Sequence, residues 1–282
     1  MGKTLSRKQI EQYNREGFVF PIDVMTEDET RLFREKLEST QAEGKLTGSG
    51  QTKFYLRFPW VHRLATSPSI LDPVEDILGP NLMLYHNTMW SKDGGDGAYV
   101  SWHQDNTYFG HNPCEVLTVW IALSETTLEN GCMQFLPGSH KLGELPLDNP
   151  DIQAGNLLSS GQTVNFDISA IDPVPVRLKP GQASIHHAHL IHSSAPNKTQ
   201  GRRLGMTFIY HPTSLKQAGN VRTSALLVRG EDKFNNFDPE IPPGPVEDPE
   251  TMERYRHAVG LYRAKVKELG NKTVGRFDGN IP

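Results

Sequence analysis

The spacing of apolar residues changes about a third of the way along the chain. Before residue 80 it follows the helical period and predicts three amphipathic helices, over residues 6–17, 26–43 and about 67–79. The first two helices begin with the capping boxes Ser6/Gln9 and Thr26/Glu29, and the third begins with Pro68 in its first turn. The predicted buried face of the second helix consists of Leu32, Phe33 and Leu37. The first third of the chain is therefore predicted to be helical.

From about residue 82 the pattern becomes short runs of Val, Ile, Thr and aromatic residues, separated by Gly, Pro and Asn. Runs of this length and spacing predict the strands of an antiparallel sandwich or barrel, with the helices packed on its outside. The predicted strands are residues 82–90, 116–123, 132–136, 174–178, 183–187 and 204–210.

A final helix is predicted from Asp248, its cap, to Gly270. It carries an apolar stripe that we expect to dock on the barrel, with a dimer seam as the alternative. The stripe consists of Met252, Tyr255, Val259, Tyr262, Val266 and Leu269. The whole chain, 1–282, is expected to be one domain with a barrel core at about 82–215 and a helical extension at about 216–282; a monomer and a homodimer both remain open.

Composition narrows the class of protein. The 282 residues carry a net charge of −4, so the sequence shows no excess of positive charge that would attract nucleic acid or an anionic membrane. There is no signal-like leader and no apolar run of membrane-spanning length, so we expect no membrane partner and a cytoplasmic location. Two cysteines cannot form a disulfide framework or a Cys-rich zinc site, whereas 11 histidines raise the question of a metal.

The first candidate ligands are His103 and Asp105. On an extended segment residues two apart point to the same face, so this pair can present an imidazole and a carboxylate to one point. The second group is the dense run His186, His187, His189 and His192. A strand through this run would place His186 and His192 on one face and the other two histidines on the opposite face, so one histidine is expected to bind metal and the roles of the rest stay open.

Arg203 follows His192 by eleven residues, across a turn rich in Pro, Asn and Gly. If the two strands are neighbours in the sheet, both side chains face one cavity, and a guanidinium there suits bidentate capture of a carboxylate. Arg202 is expected to be a salt-bridged surface residue. Two histidines and one carboxylate on one face of a metal form the facial triad of non-haem iron(II) oxygenases.

The segments 103–105, 130–140 and 192–203 resemble the phytanoyl-CoA dioxygenase family, and the resemblance extends over about residues 8–215. It implies a double-stranded β-helix (jelly roll) that uses Fe(II), 2-oxoglutarate and O₂. It further implies that His103, Asp105 and His192 are the catalytic iron ligands, that Arg203 and Ser194 hold the distal carboxylate of 2-oxoglutarate, and that Trp120 lies beside this co-substrate. A core role for Trp120 is the alternative.

Related halogenating enzymes lack the carboxylate that Asp105 supplies, so the resemblance implies hydroxylation. Substrate contacts are expected from loops near residues 52–60, 106–109 and 157–166, where the named candidates are Lys53, Arg57, Tyr108 and Phe109. The favoured substrate is a small polar metabolite, such as 2-aminoethylphosphonate or an amino-acid derivative. The alternatives are an acyl-CoA and, in another class of protein, a non-redox metal- or sugar-binding jelly roll.

Overall fold

The computed structural model describes residues 3–47, 51–111, 114–148, 154–158 and 163–269. Most of its strands belong to one large, mainly antiparallel sheet whose spatial order is β1-β9-β4-β11-β2-β12-β13. Its strands are β1 (Phe18–Asp23), β2 (Leu82–Lys92), β4 (Leu117–Ala122), β9 (Gln182–His187), β11 (Arg203–Pro212), β12 (Ser224–Arg229) and β13 (Asp238–Pro239).

A smaller four-stranded sheet has the order β3-β10-β5-β8. It is formed by β3 (Val100–His103), β5 (Met133–Phe135), β8 (Val174–Pro175) and β10 (His192–Ser194), while β6 (Leu147–Asp148) pairs with β7 (Thr163–Val164). The chain alternates between the large and the small sheet, as in a jelly roll. The predicted double-stranded β-helix is therefore confirmed, with the difference that the sheets remain open at their edges.

The helices lie where the sequence predicts them, with one addition. They are α1 (Arg7–Glu16), α2 (Glu27–Ala42), α3 (Pro59–Ala65), α4 (Pro68–Leu78) and α5 (Pro249–Glu268). Both predicted capping boxes form, on Ser6 and on Thr26. The short helix α3 was not predicted, and neither was β1, which joins the edge of the large sheet within the part of the chain that was predicted to be helical.

The predicted buried face of α2 is partly wrong. Leu37 is fully buried and Phe33 packs against the core, but Leu32 is 56 % exposed. Thr30 and Thr40 take the remaining buried positions on this helix. Each threonine hydroxyl donates to the carbonyl four residues earlier, which satisfies its polar atom at the interface.

The apolar stripe of α5 packs against the rest of the same chain. Met252, Tyr255 and Val259 belong to the main core, and Tyr262 and Val266 belong to a second cluster beside it. The stripe thus docks on the barrel, as the sequence favoured, and Gly270 lies outside the described residues. Within the described residues, no helix combines the length and the apolar character needed to cross a bilayer.

Leu37 and Leu32 allow a matched test of the core. We expect Leu37→Ala to lower the free energy of unfolding by about 2–5 kcal/mol, because it leaves a cavity in a packed interior. Leu32→Ala, on the same helix, should change it by no more than about 0.5 kcal/mol. Urea unfolding of both variants measures the difference, and equal costs would show that α2 is packed differently.

Candidate functional site

His103 and His192 face each other on neighbouring strands of the small sheet. They are cross-strand partners, His103 at the end of β3 and His192 at the start of β10, with ring centroids 4.1 Å apart. Backbone carbonyls fix both rings: the Nδ1 of His103 lies 2.9 Å from the Ser101 carbonyl oxygen, and the Nδ1 of His192 lies 2.9 Å from that of Leu190. With a proton on each Nδ1, both Nε2 atoms keep a free lone pair.

Both Nε2 atoms point at one oxygen of Asp105. The Oδ1 of Asp105 lies 3.5 Å from the Nε2 of His103 and 3.7 Å from that of His192. Burial and the neighbouring imidazole of His103 hold the pKa of His192 well below its usual value, so this ring is neutral, as a metal ligand must be.

Gln104 explains how the His-x-Asp spacing brings the two side chains together. Its backbone is extended (φ −119°, ψ 134°), so His103 and Asp105 share a face, as the sequence predicted. Its own buried side chain points away and donates to the carbonyl oxygens of Gly143 and His189 at 2.8 and 2.7 Å. Gln104 thereby anchors the segment to the turn that leads into β10.

The second oxygen of Asp105 is held by the opposite sheet. The Thr118 hydroxyl donates to Oδ2 at 2.6 Å, and the Nε2 of His186 lies 3.4 Å from the same atom. Burial alone would raise the pKa of Asp105, but its contacts with the imidazoles of His192, His103 and His186 keep it well below the usual value. Asp105 is therefore an anion with one oxygen anchored and the other facing two imidazole lone pairs.

The histidine run differs from the single strand that was predicted. β9 ends at His187 and β10 begins at His192, with a turn between them. His186 and His192 nevertheless both reach Asp105, each from a different sheet. His187 accepts a hydrogen bond on Nδ1 from the His189 backbone at 3.0 Å, and neither of these two rings lies beside Asp105.

Arg203 has unmet hydrogen-bonding capacity. The side chain is buried at 2 % exposure, and its Nε and Nη2 find no hydrogen-bond partner among the described residues. The guanidinium lies 4.7 Å from the Trp120 ring centroid, and burial lowers the pKa of Arg203 to about 10. A buried cation without a counter-ion is costly, so this position calls for an anion.

His192 and Arg203 line one cavity, but not for the reason the sequence suggested. Their strands belong to opposite sheets rather than being neighbours, and the side chains meet across the space between the sheets. The same cavity is lined by Trp120, Ser194 and His186. The predicted set of two histidines, Asp105, Arg203, Ser194 and Trp120 is thus brought together around one cavity.

Lys92 is a charged neighbour of this cavity that sequence reasoning missed. It is fully buried on β2 opposite Arg203, and its Nζ donates to the Ser194 hydroxyl at 2.5 Å and to the Ala195 carbonyl at 2.6 Å. Burial and the charge of Arg203 lower its pKa to about 7. Lys92 therefore positions Ser194 and adds to the positive potential beside Arg203.

A second cavity opens on the other side of His103 and Asp105. Tyr108 and Phe109 line it, as predicted for substrate contacts. Lys53 and Arg57 do not. Lys53 is fully buried and bound to Glu240 at 2.6 Å, and Arg57 is bound to Glu247 at 2.8 Å, so both charges are paired elsewhere.

The donor atoms fit the groups that the sequence implied. Two imidazole lone pairs and a carboxylate oxygen converging from one side are the facial set of non-haem iron(II) oxygenases. The unpaired guanidinium across the same cavity suits the free carboxylate of a keto diacid. Fold and site together define a member of the 2-oxoglutarate-dependent, non-haem iron class of oxygenases.

Comparison with known proteins identifies the family. The model of the phytanoyl-CoA dioxygenase family matches residues 13–205, and the chain belongs to this family. The resemblance seen in the sequence is thereby confirmed, together with the predicted fold and the use of iron and 2-oxoglutarate.

Two relatives and one solved structure are informative. A probable alpha-ketoglutarate-dependent hypophosphite dioxygenase from Stutzerimonas stutzeri is 34 % identical over 64 % of this chain, but the match spans only 62 % of that protein. A methylphosphonate hydroxylase from Gimesia maris is 28 % identical over 75 % of this chain and 82 % of its own length. The non-heme monooxygenase ThoJ is 30 % identical and superposes with a TM-score of 0.82 over 93 % of this chain and 98 % of its own.

Gly205 provides a test of the packing beside Arg203. A Cβ at this position of β11 would lie 2.0 Å from the Trp120 ring, which must then leave its place beside Arg203. We expect Gly205→Ala to cost about 1–3 kcal/mol of unfolding free energy in urea unfolding. Gly201→Ala is the matched control, since its Cβ would meet no atom within 4 Å; equal effects of the two substitutions would contradict this packing.

Proposed function

We propose that this protein is an Fe(II)- and 2-oxoglutarate-dependent hydroxylase of an unactivated C–H bond in a small molecule. The observation that carries the proposal is the pairing, in one cavity, of the convergent triad with a buried guanidinium that has no anionic partner among the described residues. A sugar-binding module has no use for such a cation. A hydrolytic zinc site would need a general base beside the metal, and Asp105 is already engaged on both oxygens.

Each residue has a defined task in this proposal. The Nε2 atoms of His103 and His192 and the Oδ1 of Asp105 hold iron, while Arg203 binds the distal carboxylate of 2-oxoglutarate and Lys92 holds Ser194 beside it. Bound iron and 2-oxoglutarate supply the activation of O₂, with succinate and CO₂ as by-products. Because Asp105 occupies the carboxylate position, the outcome expected for the substrate is hydroxylation.

The two cavities separate the two organic ligands. Trp90, His103, Asp105 and Thr207 line both, so the cavities meet at the triad. The Trp90 indole donates to the Thr207 hydroxyl at 3.4 Å, which ties β2 to β11 at this junction. The co-substrate would occupy the Arg203 side, and the substrate would approach from the Tyr108 side.

The substrate side favours a small molecule. Its free volume is about 100 Å³, enough for a few heavy atoms beyond the space of a water molecule. The relatives named for hypophosphite and methylphosphonate support the small polar metabolite favoured by the sequence, such as 2-aminoethylphosphonate or an amino-acid derivative. An acyl-CoA, the alternative from the sequence, would have to leave most of its length outside.

Arg203→Met tests the co-substrate assignment. We expect the KM for 2-oxoglutarate in Fe(II)-dependent succinate formation to rise on the order of 10²-fold or more, because a desolvated charge pair is lost. The free energy of unfolding of the ligand-free variant should be unchanged or higher, because an unpaired buried charge is removed.

Arg202→Met is the matched control, since Arg202 lies next in the chain and pairs at the surface with Asp93 at 3.1 Å. It should leave the KM for 2-oxoglutarate unchanged. Succinate formation that tolerates Arg203→Met would refute the co-substrate assignment. A wild-type protein that never forms succinate would leave the metal- or sugar-binding alternative.

A further inference from the structure

The cavity on the substrate side of the triad is walled mainly by aromatic and aliphatic side chains. They come from the turn after Asp105, from β11 and from α5, and include Tyr108, Phe109, Ile209, Tyr262 and Val266. Its neutral polar groups include the hydroxyls of three threonines, Thr52, Thr88 and Thr207. Such a lining stabilises a buried apolar group and can form hydrogen bonds with neutral polar groups.

The described lining contains neither Lys nor Arg. His86 does not replace them, because burial and the charge of Lys53 lower its pKa to about 3 and leave the ring neutral. Apart from the iron proposed at the triad, the described lining offers no cation to pair with an anion that loses its hydration here, which is unfavourable.

The cavity does not stabilise a cationic group either. Asp105 is the acidic residue among the described lining, and its oxygens are engaged by Thr118, His186 and the two triad imidazoles. An ammonium ion would therefore compete with iron for the same carboxylate. The cavity discriminates against both signs of charge.

α5 supplies one wall and is held firmly in place. Tyr262 stacks on the His86 ring with centroids 4.4 Å apart, and Val266 lies one turn further along the helix. Between them the buried Lys265 donates from Nζ to the Val221 carbonyl at 3.0 Å and also to that of Ala218. The family model ends at residue 205, so this wall lies outside the segment that the family shares.

We propose that the substrate cavity takes a small uncharged molecule, or an uncharged aromatic or aliphatic group of a larger one, and that Tyr262 on α5 determines this specificity. The proposal rests on the proposed function and narrows it. It keeps the reaction and the small size of the substrate but departs from the 2-aminoethylphosphonate favoured above, because it selects uncharged small molecules and disfavours a phosphonate at this position.

The test compares small carboxylic acids with their primary amides, beginning with isobutyrate and isobutyramide, and includes 2-aminoethylphosphonate. Binding is measured by calorimetry on protein loaded with Co(II) and 2-oxoglutarate, and turnover by stimulated succinate formation with Fe(II). We expect the amides to bind at least 10-fold more tightly than the acids. Acids or 2-aminoethylphosphonate that bind as tightly as the amides would overturn the proposal.

Variants on α5 sharpen this comparison. Tyr262→Ala should weaken binding of the amide about 10- to 100-fold, because an aromatic contact is lost. Val266→Arg should shift the preference towards the acid by adding a cation to the wall, and Lys267→Ala, on the exposed side of α5, should change neither. If Tyr262→Ala binds the amide as tightly as wild type, Tyr262 does not contact the substrate and this part of the proposal is wrong. If the wild-type protein still forms succinate without added substrate, the proposed function stands even when the specificity proposal fails.

A separate observation concerns His186, whose Nε2 lies 3.4 Å from the Oδ2 of Asp105. The two oxygens of this carboxylate have different surroundings: Oδ1 faces the triad imidazoles, and Oδ2 faces His186 and the Thr118 hydroxyl. His186 is 1 % exposed and is wedged between the rings of Phe135 and His192, with centroids at 4.9 and 4.8 Å. Its ring therefore cannot turn away without repacking the core.

We infer that His186 is a positioning residue whose Nε2 contacts the Oδ2 of Asp105 and, with Thr118, keeps Oδ1 directed at the position that a metal would take. Partners of metal ligands typically change metal affinity 10- to 100-fold when they are removed. His186→Leu is accordingly expected to weaken Co(II) binding by that factor without changing the shape of the Co(II) absorption band. His186→Gln, which keeps a donor at a similar reach, should restore affinity to within a few-fold.

Calorimetry and absorption with Co(II), without 2-oxoglutarate, provide the readout. His189→Leu is the control, because its ring lies outside the site, and Thr118→Val removes the second donor independently of the core around His186. Wild-type affinity in His186→Leu, or a changed Co(II) band that marks His186 as a ligand, would overturn the inference. A wild-type protein that binds no Co(II) would instead contradict the proposed function.

Discussion

The site depends on the burial of one carboxylate between two sheets. The Oδ1 of Asp105 faces imidazoles on the small sheet, and its Oδ2 is held by Thr118 and His186 on the large sheet. Burial of an ionised carboxylate is tolerated only when its oxygens are satisfied. The same contacts that stabilise this charge therefore also fix the distance between the sheets and the direction of the lone pairs that a metal would use.

Arg203 imposes the complementary constraint. Its charge is buried beside Trp120 and near Lys92, and the fold itself supplies no anion for Nε and Nη2 among the described residues. The protein thus carries an excess of negative charge at Asp105 and an excess of positive charge across the same cavity. A metal cation bound to a keto diacid neutralises both, which explains why the two features occur together and why neither alone would specify the chemistry.

Local spacing made part of this site predictable. His103 and Asp105 are two residues apart on extended backbone, so the sequence alone placed them together. His192 and Arg203 do share a cavity, as expected, but across the two sheets rather than on neighbouring strands. Thr118, His186 and Lys92 depend on which strands lie opposite each other, which no local pattern encodes. Lys53 and Arg57 were misplaced because their partners, Glu240 and Glu247, lie far away in the chain. β1 was not predicted because Pro21 interrupts its strand pattern. Proline is nevertheless tolerated in an edge strand such as β1.

The candidate metal ligands and part of the lining of the second cavity come from different parts of this chain. The triad and Arg203 lie within residues 13–205, the segment that the family model matches. Several residues that line the substrate cavity, including Ile209, Tyr262 and Val266, lie beyond it. A wall built from a C-terminal helix can change its side chains without disturbing Asp105 or its partners. Similarity over the matched segment covers the triad and Arg203, whereas part of the wall beside Tyr108 and Phe109 comes from α5, outside that segment.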